Sequence, residues 1–202
     1  MWRIFDFLFP PRADEIVLRD VSDDDFLSLT APQIILSTHP ETIALLPFAK
    51  TPVRSAIHEA KYRGAERAFG LLAAVLADYL RDEDEKLHSA VIVPMPLGEE
   101  RRAQRGWNQA EEIVQRAAKE LDITVDAALL KRTRETVSQV SLPRHAREEN
   151  MRGAFAAAHP ANPAHTYIIV DDVLTTGATL QAAIDALTAA GARHIIPLAL
   201  AH

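Results

Sequence analysis

Tyr167-Ile168-Ile169-Val170-Asp171-Asp172-Val173-Leu174-Thr175-Thr176-Gly177-Ala178-Thr179-Leu180 is the stretch on which the reading of this chain turns. Its first four residues are apolar without interruption, as expected of a strand covered on both faces. Two adjacent acids follow, then a Thr-Thr-Gly turn that opens a helix over 177–190, with Leu180, Ile184 and Leu187 facing inward and Gly191 as its stop. Ligands of parallel sheets bind at the carboxyl ends of strands, where this turn falls. Free amides at a helix start, together with the helix dipole, attract a phosphate dianion. Gly177 lets the backbone approach such a ligand, and Thr175, Thr176 and Thr179 add hydroxyl donors. Asp171 and Asp172 would repel a phosphate but suit a vicinal diol, because a carboxylate only accepts hydrogen bonds and a diol offers two donors. One end of the stretch asks for a phosphate and the other for a sugar diol. Together they describe a ribose 5-phosphate. A nucleotide P-loop does not fit, since no Gly-Lys-Ser/Thr follows and no G-x-G-x-x-G occurs.

Outward from this stretch the pattern alternates strand and helix. His194 to Leu200 is a further apolar strand, and strand–helix–strand over so few residues implies a right-handed crossover and a parallel sheet. Ala90 to Val93 reads as another buried strand. Asn108 to Leu121 reads as a helix with Ile113, Ala117 and Leu121 on one stripe and an Asn108/Glu111 capping box. Ile123 to Val125 is a short strand. Helices are expected over 52–62, with Thr51 as N-cap and Pro52 in the first turn, and over Glu66 to Arg81, where Phe69, Leu72, Ala73, Leu76 and Leu80 recur at helical spacing. Asp82 to Glu85 reads as a loop, and the arginine-rich segment 131–153 as a long loop or hairpin. Residues 1–50, with five prolines and no period, read as an irregular amino-terminal extension to a domain over 51–202.

The chain of 202 residues is 48% hydrophobic and 25% charged, which suits one ordinary domain with a sizeable core. Cysteine is absent, which removes disulfides, a thiol nucleophile and thiolate zinc sites, and agrees with a reducing compartment. The apolar start Met1 to Pro11 is too short and too interrupted for a membrane span. Asp6 breaks it and Pro10-Pro11 sits where a signal peptidase would cut, so the expectation is a cytoplasmic protein without membrane insertion. A net charge of -6 argues against general polyanion binding, yet bases cluster at Arg101, Arg102 and Arg105 and from Lys131 to Arg152, which suits a local anion.

With these residues in view, the sequence resembles the type I phosphoribosyltransferases, whose fingerprint for 5-phospho-α-D-ribosyl 1-diphosphate (PRPP) is an apolar run, two acids and a Thr-Thr-Gly-type loop. It resembles the ComF-type family in particular, associated with DNA uptake in competent bacteria. That likeness runs through Lys61-Tyr62-Arg63-Gly64, Val93-Pro94-Met95-Pro96-Leu97, Arg105-Gly106-Trp107-Asn108-Gln109-Ala110, Arg132 to Gln139 and Arg147 to Phe155 before it reaches the fingerprint.

The resemblance implies an α/β fold, a type I phosphoribosyltransferase-like parallel sheet flanked by helices, with the amino-terminal extension as a small hood. It implies that Asp171 and Asp172 hold the ribose hydroxyls, that Thr175, Thr176, Gly177, Ala178 and Thr179 cradle the 5-phosphate, and that Pro94, Met95, Pro96 and Leu97 form a pyrophosphate loop. Met95-Pro96 is a bond where a cis peptide costs little. Arg101 and Arg105 become candidates for the diphosphate, although solvated helix-start arginines read equally well. Arg132 to Arg147 resembles a lid, with Arg134 and Arg147 as its candidate catalytic residues, while Lys61 and Tyr62 read as structural or hood residues. The implied activity is a glycosyl transfer of nucleotide metabolism: a nitrogen nucleophile displaces diphosphate from C1 of PRPP, and Mg²⁺ travels with the diphosphate. The alternatives are a non-catalytic PRPP or nucleotide sensor and a single-stranded DNA-binding accessory of DNA import, the latter resting on Trp107 beside Arg105. One departure stands out. ComF-type proteins usually carry a cysteine-rich zinc ribbon after an apolar start like Phe7 to Arg12, and with no cysteine present zinc is not expected.

Overall fold

The computed structural model describes residues 12–83, 89–134, 151 and 153–202. In chain order the elements are α1 (Ala13–Asp20), α2 (Asp23–Leu27), β1 (Gln33–Ile35), β2 (Thr42–Leu46), α3 (Thr51–Arg63), α4 (Glu66–Asp82), β3 (Ala90–Pro94), α5 (Glu99–Arg105), α6 (Gln109–Leu121), β4 (Thr124–Val125), β5 (Leu130–Arg132), β6 (Phe155–Ala157), β7 (Thr166–Val173), α7 (Ala178–Ala189) and β8 (His194–Ala201). Six strands form one sheet in the order β1-β2-β8-β7-β3-β4, and β5 and β6 form a separate antiparallel pair. Every pairing from β2 to β4 is parallel; β1 alone runs antiparallel, on the outer edge beside β2. This is the α/β architecture that the sequence predicts, with a mostly parallel sheet between helices. Among the described residues no helix is long and apolar enough to cross a membrane.

Successive side chains of a strand point to opposite faces, and both faces here are apolar. Ile92, Ile168, Val170, Leu198 and Leu200 face a core built with α3, α4 and α6. Val91, Val93, Tyr167, Ile169 and Ala199 face a second core built with α7 and the β5–β6 pair. The register sets Pro94 opposite Val170 and Asp171 opposite Ala199, so β3, β7 and β8 end close together.

The structure departs from the sequence reading in several places. Residues 12–46 are not irregular: they hold two helices and two strands, and β2 joins the main sheet beside β8. Its five residues are nearly all buried, so they show no alternation that a period search could detect. At α3 the cap is Lys50, one residue before the expected Thr51, with Pro52 in the first turn. β7 extends through Val173, which puts both acids inside the strand instead of after it. Met95–Pro96 is trans; the cis bond among the described residues is His39–Pro40. Most of the expected lid, Arg147 included, lies outside the described residues, as does Met1 to Pro11.

Candidate functional site

The site begins at the tips of β3 and β7. The Met95 amide donates to the Val170 carbonyl at 2.9 Å, so the two strands stay paired until the Pro94–Gly98 loop turns away. Asn108 holds that loop from the far side. Its Nδ2 donates to the Met95 carbonyl at 3.0 Å while its Oδ1 accepts from the Ala110 amide at 3.2 Å, so one buried side chain caps α6 and anchors the loop. The capping half of the predicted Asn108/Glu111 box is present. Glu111 instead faces Arg102 at 3.4 Å.

Past β7 the chain turns through Thr175 and Thr176 into Gly177, whose φ of 82° lies in the left-handed region, and α7 starts without a side-chain cap. A helix start without a side-chain cap favours an anion through its dipole. Beside it the Thr176 hydroxyl is buried without a partner, a donor suited to a phosphate oxygen. Gly177 has a second constraint. A Cβ there would lie 2.5 Å from Ser37 Oγ and 3.0 Å from the Ser37 carbonyl, so the missing side chain makes room for the turn between β1 and β2. That turn also grips α7 through Gln181, whose Oε1 accepts from the His39 amide at 2.7 Å.

A cavity of about 910 Å³ opens over these strand tips. Of the residues predicted from sequence, Met95, Pro96, Leu97, Arg101, Arg105, Asp171, Asp172, Thr175 and Thr179 line it. Pro94 is the buried end of β3, while Thr176, Gly177 and Ala178 form the turn and helix start behind the wall. Arg134 is not in the wall, whereas Arg132, at the end of β5, is. The sequence reading gave Lys61 and Tyr62 as structural or hood residues and did not name Arg54 or His58; all four line the cavity from α3. Tyr62 is 52% exposed, with the Arg105 guanidinium 5.3 Å above its ring and the His58 ring 4.8 Å away. The Lys61-Tyr62 pair within the family-like pattern was the available signal, and it pointed to a hood without revealing a role.

The two acids have opposite electrostatic fates. Burial, and next the charge of Asp172, push the Asp171 carboxyl up to about 8. Asp172 is 8% exposed, and that burial is the largest influence on it, acting upward. Lys61 at 3.4 Å, Gln109 Nε2 at 2.7 Å and the Val173 amide at 2.8 Å together outweigh burial and hold its carboxyl below the usual range. The two carboxyls thus titrate as a pair, with Asp171 pushed up and Asp172 held down. Trp107 is committed elsewhere: its indole N–H donates to the Ala60 carbonyl at 2.9 Å, and its ring fills the space that a side chain at Gly64 would need.

Asp14, His58 and Glu59 bring carboxylate and imidazole ligand atoms within 4.8 Å of one another. Arg12 already binds Glu59 through two nitrogens, at 3.1 and 2.6 Å, and His58 Nδ1 meets Asp14 at 2.9 Å. This cluster is a network of polar contacts that ties Arg12 and α1 to α3.

A parallel sheet with an acid pair at one strand tip and an open helix start beside it defines a class of protein, and sequence comparison agrees. Residues 108–201 match the family described as phosphoribosyl transferase domain. The chain is 37% identical over 113 residues to competence protein F of Haemophilus influenzae, covering 55% of this chain and 49% of that protein. It is 34% identical over 133 residues to the DNA utilization protein YhgH of Escherichia coli, covering 64% and 58%, and 33% identical over 126 residues to competence protein ComFC of Streptococcus pneumoniae, covering 62% and 54%. The matches thus span between about half and three fifths of these relatives. The fold is that of a type I phosphoribosyltransferase-like protein. Over the matched stretches the chain is similar to ComF-type proteins.

Proposed function

We propose that this protein binds PRPP, or a closely related phosphorylated ribose, in the cavity over β3 and β7, and transfers or recognises its 5-phosphoribosyl group in a process tied to DNA uptake. One observation carries the reading. In a chain of net charge -6, a single cavity brings five cationic side chains (Arg54, Lys61, Arg101, Arg105 and Arg132) around two buried acids and an uncapped helix start. A sugar with a phosphate at one end, a diphosphate at the other and a diol between them matches that distribution of charge.

In transfer, the C1–oxygen bond of PRPP breaks and its electron pair leaves with the diphosphate, while a nitrogen nucleophile forms the new bond to C1 and loses a proton. Arg101 and Arg105 are placed to stabilise the departing charge, and Asp171 with Asp172 to orient the ribose. Mg²⁺ fits as a companion of the diphosphate, because the cavity's oxygen donors are few and a hard cation keeps most of its waters; bound there, it would neutralise leaving-group charge. The DNA-related names of the relatives bring a second reading, an accessory that binds single strands. Against it, the Trp107 indole N–H is spent on the Ala60 carbonyl and part of its ring packs against Gly64.

Calorimetric titration with PRPP and Mg²⁺ tests the proposal. The wild type is expected to bind in the micromolar range or tighter, about 8 kcal/mol, and Asp171→Asn/Asp172→Asn to lose most of that. No heat from the wild type, or equal heat from the double variant, would overturn the ribose assignment. Salt-dependent binding of an oligonucleotide that Asp171→Asn leaves intact would favour the DNA reading.

A further inference from the structure

Two neighbouring acids at one strand tip are held very differently. Asp172 Oδ2 accepts from Gln109 Nε2 at 2.7 Å and lies 3.4 Å from Lys61 Nζ, while its Oδ1 accepts from the Val173 amide at 2.8 Å. Gln109 is itself fixed: it is 6% exposed, and its amide oxygen accepts from Arg105 Nη1 at 3.1 Å. The Arg105 contact sets which end of the Gln109 amide points to Asp172. For Asp171, the partners among the described residues are the Asp172 amide at 2.9 Å and the neighbouring carboxyl. One acid has its lone pairs taken by the protein, and the other keeps capacity for a ligand.

We infer that Lys61 and Gln109 are positioning residues for the ribose grip: they hold Asp172 as an internal anchor, so that Asp171 is the carboxyl that takes the sugar hydroxyls. The inference rests on the ribose-phosphate reading of the cavity and refines it, because the fingerprint alone assigns both acids to the sugar. A buried carboxylate without a compensating cation takes up a proton or moves. Lys61 is the cation at ion-pair distance from Asp172 among the described residues. Its helix is seated for that purpose. α3 ends at Gly64, whose φ is 61°, and Trp107 ties the Ala60 carbonyl one residue before Lys61.

The other charged or titratable groups in the cavity are Arg54, His58 and Tyr62 on α3, Arg101 and Arg105 on α5, Arg132 on β5, and His202. Lys61 acts on both acids, favouring the ionised form of each. Its removal should therefore raise both titrations, an effect that a mere packing role would not produce.

The test is calorimetric titration with ribose 5-phosphate in metal-free buffer across neutral and alkaline pH, using wild type, Lys61→Met, Lys61→Arg, Gln109→Leu and the double variant Lys61→Met/Asp172→Asn. Lys61→Met and Gln109→Leu are each expected to weaken binding about tenfold, and Lys61→Met to move the pH midpoint of affinity upward by about one unit. Lys61→Arg should retain the wild-type profile. In the double variant no buried charge is left unpaired, so affinity should recover above that of Lys61→Met. Wild-type affinity and pH profile in Lys61→Met, or no recovery in the double variant, would overturn the inference. Failure of the wild type to bind either ribose 5-phosphate or PRPP would instead overturn the site reading beneath it.

Discussion

Residues 166–189 and residues 51–63 line one cavity by different routes. The first segment contributes through its backbone: a strand tip, a glycine with φ of 82°, and a helix start without a side-chain cap. The second is a helix already closed at its own end by Gly64, and it contributes side chains from one face, Arg54, His58, Lys61 and Tyr62. What a backbone can do is written in consecutive residues. What a helix face can do depends on where distant packing sets the helix, here on the bond from Trp107 to Ala60. Groups that define the ligand's class are local, and groups that tune those groups are remote.

Gly177 is the place to break the backbone side. Gly177→Ala forces a side chain into the left-handed region and against the Ser37 carbonyl, so a loss of about 3 kcal/mol in denaturant unfolding is expected, together with weaker phosphate binding. Trp107→Ala breaks the helix side. It removes an aromatic ring and the bond to Ala60, and about 2 kcal/mol of stability should go, with PRPP affinity falling in the same protein. Asp171→Asn sharpens the contrast through pH. The folded chain keeps on Asp171, raised to about 8, a proton that the unfolded chain releases near pH 4. The folded state thus binds more protons between those limits, so stability should fall as pH rises from about 4 to about 8 and level off above. Asp171→Asn should flatten that slope in thermal melts and make the protein slightly more stable at neutral pH, even as sugar binding is lost. The smallest effect belongs outside both regions: Glu120→Gln opens the exposed pair with Arg81, which should change stability by about 0.5 kcal/mol or less and leave ligand titrations unchanged.

These differences also explain what could be read in advance. The order strand, acids, turn and helix was legible because the apolar run, the acids and the glycine each have a local physical reason, although the strand runs on through both acids. β3 and its proline-rich loop were legible from their order. Lys61 and Gln109 were not. A lysine near a helix end usually lies in solvent, and a glutamine in a first turn carries no signal of a buried carboxylate across the sheet. α1, α2, β1 and β2 escaped for another reason. They are short, and β1 presents an exposed Ile34 on a three-residue strand where no alternation can be established. The acid pair was placed correctly at the tip of β7, but the strand's continuation through Val173 came from pairing with β8, which no local pattern announces.

The pairing of β2 with β8 bears on any attempt to work with a shortened chain. Ile43, Ala44 and Leu46 stand against Leu198, Ala199 and Ala201. A fragment trimmed back to residue 51 would turn the interior strand β8 into an open, apolar rim with a row of unanswered amides and carbonyls. Such a rim recruits whatever extended peptide it meets, so the trimmed protein should precipitate or form mixed oligomers.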